Sequence, residues 1–133
     1  MPYLLDTDII SATLRPRPNL AVIRRLASLA AGDAFTSAIT LGELVFGASR
    51  VGRGDLMDRI LELPLVLPVL PFDESAAVRF GHLKAELERA GLPLAEPDLR
   101  IAAVALSTNL TLVTGNERHF ARVPRLPIEN WLV

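Results

Sequence analysis

Three carboxylates and one amide are the side chains of this sequence best suited to chemistry: Asp6, Glu43, Asp98 and Asn116. A compact set of oxygen ligands suits a hard divalent cation such as Mg²⁺ or Mn²⁺ better than zinc, which prefers nitrogen and sulfur. The chain has no cysteine, and its two histidines lie far apart in the sequence. Carboxylates gathered within a few ångströms repel one another, and a bound cation removes that repulsion. The set therefore predicts a metal site wherever the fold brings its members together.

Each acidic residue also has a purely structural interpretation. Glu43 lies three residues after Thr40, which is the spacing of a capping box that opens a helix. Asp98 follows a helix-starting proline and would complement the dipole of that helix. Asp8 is predicted to cap the helix that begins one residue later. Asp6 directly follows an apolar run, so it has no such interpretation unless it caps the turn itself.

Strands that alternate with helices would position these residues. Short apolar runs predict strands over 3–5, 34–37, 65–69 and 110–114, with a final extended piece around 128–132. Helical spacing, caps and stop residues predict helices from residue 9 onward and over 19–31, 40–51, 54–63, 73–90, 96–106 and 117–123. The alternation predicts an α/β fold, a single-domain α/β/α sandwich with a mostly parallel sheet, over residues 1–133.

One edge of that sheet is where we expect the site. Parallel sheets bind ligands at the carboxyl ends of their strands, where the chain turns into a helix. Asp6 follows the first strand, and Asn116 follows the strand over 110–114. Glu43 and Asp98 lie in the first turns of helices, so the preceding loops can bring them to the same edge.

The composition excludes several classes of protein. The chain has 133 residues, of which 50% are hydrophobic, with 14 basic and 15 acidic residues. This is not a disordered composition, and a net charge of −1 argues against a binder that attracts nucleic acid by bulk charge. The N-terminus lacks a basic stretch followed by an apolar core, and no apolar run is long enough for a membrane span. We expect a soluble, cytoplasmic protein without membrane contact.

Four blocks in the right order resemble the PIN-domain nucleases, and most of all the VapC-type toxins of prokaryotic toxin–antitoxin pairs. The resemblance covers essentially the whole chain, including the closing Glu129-Asn130-Trp131. The blocks are Leu4–Ile9, Thr40–Leu44, Pro97–Ala103 and Leu112–Asn116, the last of them ahead of His119-Phe120.

The resemblance implies a set of metal ligands. Asp6, Glu43 and Asp98 match the positions at which the family holds Mg²⁺ or Mn²⁺, and Thr114 would support that site by hydrogen bonding. Asn116 falls where many members have a fourth aspartate, so it is a departure from the pattern. An asparagine brings no charge, which favours one tightly held ion over two. Glu117 is a neighbouring carboxylate that could compensate.

The resemblance also implies an activity and partners. It implies a metal-dependent endoribonuclease that cuts structured RNA with a metal-activated water, acts as a toxin, forms a homodimer and is covered by a cognate VapB-type antitoxin. Seven arginines are candidates for contact with RNA phosphates, and we favour the cluster over 118–125: Arg15, Arg17, Arg50, Arg53, Arg118, Arg122 and Arg125.

Two alternatives remain open from the sequence. Asp6-Thr7-Asp8 after a first strand also resembles the signature of haloacid-dehalogenase phosphatases, in which the first aspartate is the nucleophile. That family needs a threonine or valine where Ile10 stands and a lysine later in the chain, whereas the one lysine here, Lys84, lies in the middle of a helix. The second alternative is a non-catalytic binding module on the PIN fold, and the uncharged Asn116 is the feature that supports it.

Overall fold

The computed structural model describes residues 2–133, and within them five short strands form one parallel sheet. The strands are β1 (Tyr3–Leu5), β2 (Ala34–Ser37), β3 (Val69–Leu70), β4 (Thr111–Val113) and β5 (Ile128–Glu129). Their order across the sheet is β3-β2-β1-β4-β5, so the first strand lies at the centre and pairs with β4 in register Leu4 to Leu112. The predicted α/β class with a parallel sheet is confirmed.

Helices connect the strands and cover both faces of the sheet. They are α1 (Thr7–Leu14), α2 (Leu20–Ala27), α3 (Ala38–Val51), α4 (Gly54–Glu62), α5 (Glu74–Arg89), α6 (Glu96–Ser107) and α7 (Glu117–Phe120), with a 3₁₀ turn at Leu63–Leu65. No helix in the described part of the chain is long and apolar enough to cross a membrane.

Adjacent leucines of β1 enter different cores, because successive side chains of a strand point to opposite faces. Leu4 packs in a core with residues of α5 and α6, whereas Leu5 packs in a core with residues of α1 to α4. The sheet therefore separates two helical layers, and the predicted α/β/α sandwich is confirmed. In α6 every residue from Ile101 to Leu106 is buried, as its apolar run predicted.

The predicted strand over 65–69 is wrong. Pro64 instead lies within the 3₁₀ turn Leu63–Leu65, and Leu65 and Val66 are exposed to solvent. Only Val69–Leu70 pairs with β2, because proline fixes its own φ and has no N–H to donate to a sheet. The helix predicted to reach residue 31 ends earlier, at Ala27, where the Ser28 hydroxyl donates to the Arg25 carbonyl and competes with the helical ladder.

The start of α3 also differs from the prediction. Ser37, not Thr40, is its N-cap: the Ser37 side chain accepts a hydrogen bond from the Thr40 backbone N–H at 3.1 Å. Thr40 is therefore a buried residue of the first turn, and the Thr40–Glu43 spacing is not a capping box. Without that role in capping, Glu43 needs another explanation.

Candidate metal centre

Asp6 lies at the carboxyl end of β1, where a buried strand turns directly into a helix. Its backbone N–H donates to the Val113 carbonyl at 2.9 Å, so the pairing of β1 with β4 continues to the site. Its Oδ1 accepts from the Thr7 backbone N–H at 2.8 Å, and its Oδ2 accepts from the Thr114 hydroxyl at 2.8 Å. The side chain is thus fixed by both strands, and the predicted hydrogen bond from Thr114 is present.

Burial makes Asp6 an unusual carboxylate. The residue is only 6% exposed. Burial raises its pKa to about 7, and the negative charges of Asp8 and Asp98 act in the same direction, while the hydrogen bond from Thr114 opposes the shift. No arginine or lysine neutralises this side chain among the hydrogen bonds and ion pairs of residues 2–133. A cation at this place would remove an electrostatic cost that the protein alone does not remove.

Asp8 does not have the capping role that its sequence position predicted. Asp6 is the N-cap of α1, which begins at Thr7, so Asp8 lies inside the first turn. Its Oδ2 accepts from the Gly115 backbone N–H at 2.9 Å, and its Oδ1 is buried without a hydrogen-bond partner. Burial is the main cause that raises its pKa. The sequence predicted a helix cap at Asp8 and did not predict its contact with the turn after β4.

Glu43 lies on α3 and faces the start of α1. Its Oε1 accepts from the Thr7 hydroxyl at 2.6 Å, and the Thr40 hydroxyl oxygen lies 3.2 Å from that of Thr7. Thr7 therefore links the Asp6 turn to Glu43. Glu43 is exposed to solvent.

Asp98 lies in the first turn of α6 and is half-buried. Burial raises its pKa, as do the nearby negative charges of Glu43 and Asp8, while His119 opposes the shift. Asp98 also raises the pKa of Asp6. These mutual effects show that the three predicted ligands, together with Asp8, share one region of negative charge.

The three predicted ligands do not form a finished cage. In the part of the chain that the structure describes, no three acidic or histidine side chains are grouped as a metal cluster. The chemistry of the predicted donors nevertheless fits a hard divalent cation, because all of them are oxygens, and the neighbouring Asp8 has a further buried oxygen, Oδ1, without a hydrogen-bond partner.

Asn116 precedes α7 and is joined to Asp6 through Thr114. Its backbone N–H donates to the Thr114 hydroxyl oxygen at 3.0 Å, and that hydroxyl donates to Asp6. The Asn116 side chain does not cap α7. Glu117 is exposed and accepts from the Asn130 amide at 3.1 Å, which holds it toward the C-terminal segment.

Gly115 is close to its neighbours. A Cβ at this position would lie 2.5 Å from Leu132 Cδ1 and 2.7 Å from Asp8 Oδ2. The glycine therefore lets the turn after β4 approach α1 closely enough for the hydrogen bond from its N–H to Asp8. This contact joins residues 107 positions apart, so no local pattern predicts it.

The favoured arginine cluster over 118–125 is largely engaged with the protein itself. Arg122 donates to the Pro93 carbonyl at 2.8 Å, and Arg125 forms an ion pair with Glu86 at 3.2 Å. Arg118 is exposed beside His119. Arg15 and Arg53 lie instead around a cavity that opens next to Glu43.

Comparison with known proteins places this geometry in a family. Residues 3–126 match the family model described as PIN domain. Ribonuclease VapC2 of Haemophilus influenzae is 37% identical over 133 residues, covering 99% of each chain. The tRNA(fMet)-specific endonuclease VapC of Shigella flexneri is 35% identical over 132 residues, covering 98% of each chain. The crystal structure of VapBC2 from Rickettsia felis bound to a promoter DNA fragment matches with a TM-score of 0.89 at 33% identity, over 98% of this chain and 99% of that chain.

A parallel sheet with acidic residues at the carboxyl edge of its central strands is thus the sheet of a PIN domain, and the chain belongs to that family. Its similarity to proteins named as VapC ribonucleases confirms the predicted resemblance to VapC-type toxins. The phosphatase alternative is wrong. Lys84, which that chemistry would need at the site, pairs with Glu96 at 2.9 Å on the surface.

Proposed function

We propose that this chain is an endoribonuclease that depends on Mg²⁺ or Mn²⁺ and acts as the toxin of a toxin–antitoxin pair. The observation that carries the proposal is the buried Asp6 carboxylate, whose pKa is raised to about 7 at the edge of a parallel sheet where other carboxylates converge. Strongly perturbed acids in such places mark functional sites, because their burial has a cost that a purely structural role does not require. The ribonuclease names of the similar proteins support the reaction class.

Asp6, Glu43 and Asp98 would hold the cation, and Asn116 would lie beside it. When bound, the cation lowers the pKa of a water and polarises the phosphodiester for in-line attack. Thr114 and the Thr7 backbone N–H orient the Asp6 carboxylate, and the Thr7 hydroxyl orients Glu43 through Oε1. Asp8 holds the Gly115 turn, and so it positions Asn116.

The partners follow from the same relatives. The Rickettsia felis structure is a VapBC complex, and the Shigella flexneri relative is named for cleavage of tRNA(fMet). We propose that this chain acts on structured RNA, with tRNA as the first class to test, binds a VapB-type antitoxin and forms a homodimer in the cytoplasm.

A non-catalytic binding module is the second candidate. It is favoured by Asn116, which is uncharged where many family members have an aspartate, and by the lack of a closed carboxylate cluster in residues 2–133. Such a module would bind RNA or the antitoxin without cutting RNA.

Cleavage of a cellular RNA pool separates the two candidates. Wild-type protein with Mn²⁺ should produce defined new ends, and chelator or Asp6→Asn should abolish them. Asp33→Asn is the matched control. Asp33 precedes β2 and therefore lies at the amino ends of the strands, opposite the candidate metal centre, so this change should leave cleavage unchanged. Cleavage that survives Asp6→Asn contradicts the assignment, and RNA binding without cleavage by the wild type favours the binding module.

A further inference from the structure

A cavity of about 280 Å³ opens directly beside the candidate metal centre. It lies between α1, α3 and α4, and we call it the Arg15 groove. Its wall next to the metal centre is formed by Thr7 and Glu43, which also belong to that centre. Arg15 and Arg53 line the same groove.

Continuity with the metal centre limits what can occupy the groove. The Thr7 hydroxyl donates to Glu43 at 2.6 Å, so the shared wall is a fixed structure rather than two independent side chains. An RNA strand whose scissile phosphate lies at the metal centre therefore has a flanking nucleotide within reach of the groove.

The floor and the rim of the groove match the two parts of a nucleotide. The floor is apolar: the partly exposed Leu56 lies with the buried Leu44 and Ile60, and an apolar lining of this kind is typical of sites that receive the flat body of a ligand. Arg15 is exposed at the rim, and the exposed ion pair of Arg53 with Asp55 at 2.8 Å can be exchanged for a phosphate.

A larger cavity on the chain lacks this match. Its volume is about 470 Å³, and it is lined by residues of α2, the 3₁₀ turn and the segment before β2, with no charged side chain. It contains none of the candidate ligands either, so it offers neither a phosphate partner nor continuity with the metal centre.

We propose that the Arg15 groove receives one unpaired RNA nucleotide next to the scissile phosphate, with its base on the apolar floor and a phosphate at Arg15 and Arg53. The inference rests on the proposed ribonuclease function and deepens it. The volume is near the lower limit of small-molecule sites, about 300 Å³, so the groove accommodates a single nucleotide and not a base pair. The substrate is therefore single-stranded on this side of the cut.

Gly47 offers a way to fill the groove without disturbing the fold. It lines the groove from the middle of α3, and a Cβ built on it meets no atom within 4 Å. Gly47→Leu removes a residue that is unfavourable in helices and places its side chain in the groove. Gly81→Leu is the matched control, because Gly81 is also in the interior of a helix, α5, with open space around it, and is outside the groove.

The test uses an RNA oligonucleotide that the wild type cuts, together with versions that lack the base at one position flanking the cut. Loss of one particular base should lower kcat/KM of the wild type about tenfold, because the groove then has no base to contact. Gly47→Leu should lose about tenfold on the intact RNA, and removal of the same base should then cost it no further activity. Gly81→Leu should behave as the wild type.

The proposal would be overturned if base removal lowered kcat/KM equally in the wild type and in Gly47→Leu. It would also be overturned if Gly47→Leu cut the intact RNA as fast as the wild type, which is the result expected if the groove receives a protein segment instead. A wild type that cuts no RNA overturns the ribonuclease function as well, so the two failures are distinguishable. Unfolding curves check that Gly47→Leu is folded. If Gly47→Leu is unfolded, the base-removal series is carried out on the wild type and on Gly47→Ala, whose added side chain is smaller. A series in which the removal of no flanking base lowers cleavage contradicts a nucleotide subsite.

Discussion

Two carboxylates at the start of α6 lie two residues apart and have opposite surroundings. Glu96 accepts from the Lys84 ammonium at 2.9 Å, and this hydrogen bond lowers its pKa. Asp98 is half-buried, and burial together with the charge of Glu43 raises its pKa. Both are near the positive end of the same helix dipole, which stabilises acidic residues at that end.

The dipole therefore cannot explain the difference between the two carboxylates. Glu96 is paired with a basic neighbour, as in an ordinary surface ion pair, whereas the charged neighbour with the largest effect on Asp98 is another acid, Glu43, which outweighs His119. Glu96 thus has the lysine partner of a structural ion pair, whereas no lysine or arginine forms an ion pair with Asp6 or Asp98 within residues 2–133.

Asp98→Asn should have the largest effect on activity. Loss of one ligand weakens a cation that supplies several kcal/mol of transition-state stabilisation, so RNA cleavage should fall about 1,000-fold. Glu96→Gln, the matched change two residues earlier, should leave cleavage close to that of the wild type. Initial rates with Mn²⁺ on one RNA compare the two, and equal losses would remove the distinction.

Asp6→Asn should stabilise the metal-free protein. In the wild type the pKa of Asp6 is about 7, against 3.8 ordinarily, so the folded state binds more protons between these values and its stability falls as the pH rises through them. Above pH 7 the charged form costs up to about 4 kcal/mol, which the variant avoids.

Denaturant unfolding in chelator at pH 5 and pH 8 measures this effect. The increase in unfolding free energy caused by Asp6→Asn should be larger at pH 8 than at pH 5. The unfolding free energy of the variant should also change less between these pH values than that of the wild type. A variant that is less stable than the wild type at pH 8 would show that the buried charge is compensated after all.

Gly115→Ala should have a smaller effect on both properties. The added Cβ collides with Leu132 and with the Asp8 carboxylate, so the turn must move away from α1. We expect a loss of about 1 kcal/mol in unfolding free energy and a several-fold loss of cleavage because Asn116 is displaced. Thermal melting and cleavage rates check this, and a variant equal to the wild type in both would argue against the role of the Asp8 contact.

Lys84→Gln should have the smallest effect. The Lys84–Glu96 ion pair is exposed, and exposed pairs contribute little to stability. Cleavage should be unchanged and the melting temperature nearly so. A marked loss of cleavage would place the ion pair within the functional site.

Much of the fold could be predicted because it depends on local patterns. The apolar stripe and the Asp73 cap define α5, and the uninterrupted apolar run defines α6 as a buried helix. The errors arose where two local signals competed. The strand propensity over 65–69 was overridden by proline, and the capping-box spacing from Thr40 was overridden by Ser37, which lies three residues earlier.

The candidate site could be predicted only in part. The sequence indicated Asp6, Glu43, Asp98 and Asn116 through their positions at strand and helix boundaries, and in the structure Thr7 links Asp6 to Glu43 while Thr114 links Asp6 to Asn116. The contact between Asp8 and Gly115 depends on the pairing of β1 with β4, and the difference between Glu96 and Asp98 depends on how α5 packs on α6. Such contacts are set by tertiary packing, so no local pattern contains them.

Calorimetric titration with Mn²⁺ tests most directly whether the uncompensated carboxylates hold a cation. The wild type and Glu96→Gln should bind with the same affinity, and saturating metal should raise the stability of both, by about 2.7 kcal/mol at one hundred times the Kd. Asp98→Asn should lose both the heat of binding and the stabilisation. Equal Mn²⁺ binding by Asp98→Asn and the wild type, or no binding by the wild type, would contradict the assignment of this edge of the sheet as a metal centre.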